Sequence, residues 1–187
     1  MYRTMLAAGT ALALLFAFPA MAQDDGQEPS ADETTTADSD DIDTPAVTAS
    51  TPEEFVTMAA HSNMFEIESS RIALERAQDP DIRDFAQQMI DDHTTASEEL
   101  TQAAEADGIT DIPQTLDERH QQLMERLQDA SADIFDNRYL QMQITAHEEA
   151  IALFESFATE EGALGDFAEA TLPTLQEHLD MVSDLAL

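Results

Sequence analysis

The 187-residue sequence has no cysteine, no tryptophan and no lysine, and all seven of its cations are arginines. Without thiols there is no disulfide framework, no thiolate metal ligand, no cysteine nucleophile and no lipid attachment at cysteine. Any metal must be held by His, carboxylate or Met. Basic charge is scarce, with 7 Lys+Arg against 40 Asp+Glu and a formal net charge of −33. Nucleic-acid binding is thereby excluded, because phosphate neutralisation requires clustered basic side chains. Glycine is rare too, at five residues, and none of them builds a phosphate-cradling loop. No stretch alternates with period two, so nothing points to a half-buried strand.

What is there begins with an export signal. Arg3 lies in the first four residues, an apolar run extends from Met5 to Phe18, and Pro19 precedes the small-x-small string Ala20-Met21-Ala22. The run is shorter than the roughly 20 residues a spanning helix needs, so residues 1–22 read as a signal peptide cleaved after Ala22. The mature chain is expected to be periplasmic or secreted, with no membrane span. Residues 23–50 hold nine acids and no base among Thr, Ser, Pro and Gly. Such a segment cannot bury enough apolar surface to offset its ordering entropy, and an acidic disordered linker is expected. Residues 51–187, the folded domain, keep 31 acids against six Arg, a surface suited to a saline medium or to bound cations.

The domain reads as helices. Thr51-Pro52-Glu53-Glu54 combines a Thr N-cap, Pro at the first helical position and Glu at the third, a capping box. Val56, Ala60, Asn63, Ile67, Ser70 and Leu74 then share one stripe. Asp79-Pro80-Asp81 repeats the start signal, and Ile82, Phe85, Met89, His93, Ala96 and Leu100 form the buried face of a second helix that Asp107-Gly108 ends. Pro113 breaks the crossing, and Thr115-Leu116-Asp117-Glu118 opens a short helix to about Gln128. Ser131 is placed as the cap of a third long helix with Leu140, Ile144, His147, Ile151, Phe154 and Ala158 inward, up to Gly162. The fourth carries Leu164, Ala168, Thr171, Leu175, His178 and Val182, with a kink expected at Pro173. The fold class is therefore all-α, a four-helix bundle with a short extra helix in the helix 2–3 connection. Met58, Phe65 and Ile72 recur every seven residues opposite the main stripe of the first helix. They are either covered by the short helix or the acidic segment, or they form the seam of a homodimer.

Three histidines fall where such a bundle wants apolar residues. Counted from the turns, Glu66 lies about 13 residues before Gln78-Asp79 and His93 about 14 after, while His147 lies 15 before Gly162 and His178 lies 16 after. Antiparallel packing brings each pair level near mid-helix, so Glu66, His93, His147 and His178 are expected to converge, one from each helix. Three imidazoles and one carboxylate suit a single Fe, Mn, Cu or Zn ion, with Asn63, Tyr139 and Gln143 as orienting partners. The competing reading satisfies each His from a neighbouring Glu, Gln or Tyr and uses the network only to hold helix register. Met64, Met89 and Met142 are further soft donors that singly read as core filling. Asp92 is set aside because adjacent helical residues point about 100° apart. His61 and His120 are placed on outer faces in solvent. No Ser stands opposite an inward His, which removes Ser/His/Asp hydrolysis and leaves no catalytic residue to name.

The strings Asn63-Met64-Phe65-Glu66-Ile67 and Phe85-Ala86-Gln87-Gln88-Met89-Ile90-Asp91-Asp92-His93 carry a family resemblance. So do Phe135-Asp136 with Tyr139, Ala146-His147, Leu153-Phe154, Phe167-Ala168 and Leu172-Pro173-Thr174-Leu175 to His178-Leu179. By these motifs Phe55 to Leu185 resembles the exported helical family catalogued as domain of unknown function 4142, often labelled an outer membrane protein and similar to the ferritin-like superfamily. The resemblance implies a ferritin-like fold and supplies no activity. Di-iron bundles of that superfamily use Glu-x-x-His on two helices, but here Ile90, Ile144 and Leu175 stand three before the histidines. Di-iron oxidase or storage chemistry is therefore not expected. The leading expectation is a non-enzymatic binding or stress-related module. The alternative is a metal-binding or redox protein with a mononuclear His/carboxylate site.

Overall fold

The computed structural model describes residues 47–187; the expected signal peptide (residues 1–22) and residues 23–46 of the expected acidic linker lie outside the described residues. Every regular element among the described residues is a helix: α1 (Pro52–Arg76), α2 (Pro80–Ala106), α3 (Glu118–Gln128), α4 (Phe135–Phe157) and α5 (Ala163–Leu185). None of them is long and apolar enough to cross a membrane.

Local signals start the first three helices. Thr51 Oγ1 accepts from the Glu54 amide at 3.2 Å, Asp79 Oδ1 accepts from Asp81 at 2.8 Å, and Asp117 Oδ1 accepts from His120 at 2.8 Å, each capping groups that would otherwise be orphaned. The last two helices start differently. Ser131 does not cap α4: its hydroxyl donates to Asp133 at 2.5 Å, and α4 begins after a turn with no side-chain cap. Phe135 sets that start instead, fully buried with the Arg76 guanidinium 4.4 Å from its ring centroid. At α5 the cap comes from across the chain, because the Asp107 carboxylate accepts from Ala163 at 3.1 Å and Leu164 at 2.9 Å. Gly162, at φ +119°, turns the chain beside that carboxylate, which a Cβ at this position would meet at 3.0 Å. Asp136 does the same for the α1–α2 turn, accepting from the amides of Gln78 and Asp79 at 3.1 Å. α5 then runs unbroken through Pro173, which is exposed.

The long helices close a ring in which α1 packs on α2 and α4, and α5 packs on α4 and α2. α3 lies across α1 and α4. Phe65 is buried against Leu116 of the α2–α3 connection and Met124 of α3, with Ile72 packed on the same cluster, while Met58 packs on the core around Phe55. The Met58/Phe65/Ile72 face is thus used within the chain, and the homodimer seam is corrected to cover by the short helix and the segment leading into it. Burying α4 on α1, α3 and α5 also widens its inward face. Tyr139, Gln143, Ala150 and Phe157 are buried, whereas Ile144 and Ile151 are only half-buried.

Two apolar clusters fill the ends of the ring. One gathers Phe55, Leu100, Phe154, Phe157 and Phe167; the other gathers Ile82, Phe85, Met89, Tyr139, Leu140 and Val182. Between them Asn63, Glu66, Ser69, Ser70, His93, Gln143, His147 and His178 are buried.

Candidate metal centre

His93 of α2, His147 of α4 and His178 of α5 meet in this layer, with ring centroids 5.7, 5.5 and 5.5 Å apart. They are 3%, 0% and 1% exposed. Each ring has one nitrogen committed to an oxygen. His93 Nδ1 donates to Asn63 Oδ1 of α1 at 2.9 Å, His147 Nδ1 donates to the Gln143 carbonyl at 2.8 Å, and His178 Nε2 donates to Asp92 Oδ2 of α2 at 2.9 Å. An oxygen acceptor at that position requires an N–H, so the tautomer of each neutral ring is set and the opposite nitrogen carries a lone pair. Those opposite nitrogens, His93 Nε2, His147 Nε2 and His178 Nδ1, are buried and have no hydrogen-bond partner. One ring nitrogen from each of the three histidines lies within 4.8 Å of the others.

Burial keeps two of these rings, His93 and His147, basic in form. Desolvation, with His147 and His178 adding to it, holds the His93 imidazole far below its ordinary titration range. His147 is lowered to about 4, first by burial, partly offset by its bond to the Gln143 carbonyl and lowered further by His178. Both rings are neutral at physiological pH, the form in which imidazole binds a metal.

The remaining expected residues divide. Asn63 Oδ1 accepts from His93, and the main-chain carbonyl of Gln143 accepts from His147. The Gln143 side chain turns away and donates to Ser69 Oγ at 3.1 Å. Tyr139 sits at 2.8 Å from Ser70 and reaches none of the imidazoles, so its orienting role is not realised. Glu66 lies beside His147 with Oε1 3.8 Å from Nδ1, the nitrogen already bonded to the Gln143 carbonyl, and it does not join the group of converging ligand atoms. The offset has a simple origin: α1 meets α2 one turn off the expected level, so Asn63 faces His93 in place of Glu66. Burial pushes the Glu66 carboxyl up to about 8; the nearby Gln143 amide lowers it and Glu149 raises it further.

Sequence reasoning missed Asp92. The 100° between neighbours on a helix, which keeps Asp92 from His93, is what turns it toward His178 on α5. The other correction concerns His61 and His120, which are half-buried and not on fully solvated faces. Their rings lie 6.4 Å apart between α1 and α3, and His120 Nδ1 is held by Asp117 at 2.8 Å.

With this geometry in view, comparison with known proteins places the chain. The model for Domain of unknown function (DUF4142) matches residues 36–185. The chain belongs to that family. No curated protein matches it. Among solved structures, the crystal structure of a DUF305 fragment from Deinococcus radiodurans is similar at a TM-score of 0.63 and 14% sequence identity, covering 73% of this chain and 96% of that one. At that identity the likeness speaks for a shared helical fold and for nothing more.

Proposed function

We propose that this member of the family is an exported, ferritin-like four-helix protein that holds one transition-metal ion at its centre. The ligands are His93 Nε2, His147 Nε2 and His178 Nδ1. One observation carries the reading: three buried imidazole lone pairs face one another without partners, while each ring's other nitrogen is held by an oxygen. Unpaired buried acceptors are costly, and three on one point are a poor register device but a good cation cage. Imidazole donors suit Zn, Cu and Fe, and with Glu66 outside the set the harder Mn fits least well. Asp92 behind His178 and Glu66 beside His147 supply two acidic groups near a dication. The nearly complete burial of the ligands supports a carrying, structural or electron-transfer role over hydrolysis of a bulky substrate. Export rests on the Arg3, Met5–Phe18 and Ala20-Met21-Ala22 pattern, with cleavage after Ala22.

The test is elemental analysis of mature protein purified without a tag from its own envelope, beside a His93→Ala/His147→Ala variant. About one ion per wild-type chain and none in the variant is the expected result. Wild-type protein that arrives metal-free and takes up neither Zn, Cu nor Fe would reject the centre and leave the non-enzymatic, metal-free module.

A further inference from the structure

A second feature lies apart from the histidine centre and does not depend on it. A cavity of about 510 Å³ opens between α1, α3 and α4, within the range of small-molecule pockets. Met58, Ala146, Ala150 and Leu153 give it apolar walls, and its acid and arginine residues are Asp117, Arg119 and Glu149. Two of these neutralise each other, since Arg119 donates twice to the Glu149 carboxylate, at 2.8 and 2.6 Å. Asp117 has no such partner. Its Oδ1 accepts from the amide and the ring Nδ1 of His120, both at 2.8 Å, and no arginine pairs with it among the described residues. Burial holds the His120 imidazole below its ordinary range, with Asp117 opposing that shift, so both donors are neutral at physiological pH. Burial raises the Asp117 carboxyl, but the His120 bonds more than offset it and leave it below its ordinary range, ionised. The lining thus carries one unmatched negative charge, on a side chain that is 40% exposed.

The class of ligand follows from that charge. An anion is repelled by it and by the formal net charge of −33. A neutral body closing over Asp117 would strip water from a carboxylate and give it no counter-charge, which weakens binding. A metal ion needs several converging ligand atoms, and among the described residues that group is His93, His147 and His178, none of which lines this cavity. A cation with its own apolar body meets both parts of the lining. Its hydrocarbon is buried on the methionine, alanine and leucine walls, and its charge lies beside the carboxylate. We infer that this cavity binds a monovalent organic cation, an amine or quaternary ammonium with an apolar body, beside Asp117.

Benzyltrimethylammonium is the probe, titrated by calorimetry into the full mature protein at about pH 8 and about 0.15 M salt, above the ordinary histidine range and with the dispersed surface acids screened. Saturation at one cation per chain is expected. Benzyl alcohol, which has the ring without the charge, should bind about tenfold more weakly, and benzenesulfonate not at all. Asp117→Asn keeps an acceptor for His120 and a good helix cap while removing the charge, and should weaken binding several-fold to about tenfold. Glu148→Gln, on an exposed acid of α4 outside the lining, should leave it unchanged. Ala146→Phe fills the cavity from α4 and should weaken binding about tenfold or more. Ser62→Leu fills the same space from α1 and serves if Ala146→Phe fails to fold by circular dichroism. Absence of saturable binding overturns the inference. So does equal binding of benzyl alcohol, a loss in Asp117→Asn no larger than in Glu148→Gln, or binding that a folded filling variant leaves intact.

Discussion

The apolar end around Phe55 and the histidine layer two turns along α1 are equally buried, yet different physics holds each of them. Phe55 stacks on Phe157 at 4.4 Å and meets Phe154 and Phe167 edge-on at 5.1 and 6.5 Å. That contact is non-directional area removed from water, tolerant of small rotations. The histidine layer depends on direction: each ring is aimed by one oxygen, and a change of one hydrogen-bond partner would turn a lone pair away. Along the helix axis, apolar clusters at both ends thus clamp a polar middle, which is where the proposed metal centre lies.

Four substitutions would break or sharpen that contrast. The largest effect is expected at the apolar end, where Phe55→Ala should cost about 3–5 kcal/mol by urea unfolding, without changing metal content per folded chain. If metal were lost along with stability, the two regions would not be separable. Next comes Glu66→Gln. The folded pKa of about 8 lies above the ordinary 4.5, so the native state keeps a proton that the unfolded chain gives up. The resulting stabilisation is complete below pH 4.5 and is lost as pH rises toward 8. The Gln variant lacks that loss, and its melting temperature should exceed that of the metal-free wild type increasingly from pH 5 to pH 8. Parallel curves would show that Glu66 is not held protonated. A smaller energy is expected from Asp92→Asn, which should weaken metal binding by about 10–100-fold while changing unfolding of the metal-free protein by less than about 1 kcal/mol, since Asp92 is partly exposed. Equal losses in both readouts would make Asp92 a structural residue. The smallest is Thr51→Ala, which removes the α1 cap and should cost about 1 kcal/mol in unfolding with no change in metal affinity.

Much of this was legible in the residues because it is local. Helix starts at Thr51 and Asp79 need only a side chain and amides two or three residues away, whereas in the string Thr115-Leu116-Asp117-Glu118 it is Asp117 that caps the short helix. The meeting of the three histidines needed little more, since helix rise and turn position fix height to within a turn. That tolerance was too coarse for α1, where Asn63 and Glu66 exchanged the places expected of them. Ser131 misled for the opposite reason: it has the chemistry of a cap, but the burial of Phe135 against Arg76 decides where α4 begins.

The sequence by itself determined the all-helical class, the ends of α1 and α2, and which three imidazoles share a level, because periodicity, proline and capping act within a few residues. Only the tertiary structure decided which nitrogen of each ring faces its neighbours, that Asp92 serves His178 across the α2–α5 contact, that Asp107 and Asp136 cap amides more than fifty residues away, and that α3 encloses a cavity over α1. Those outcomes depend on helix rotation and on contacts between distant segments, and single-chain periodicity carries no information about either.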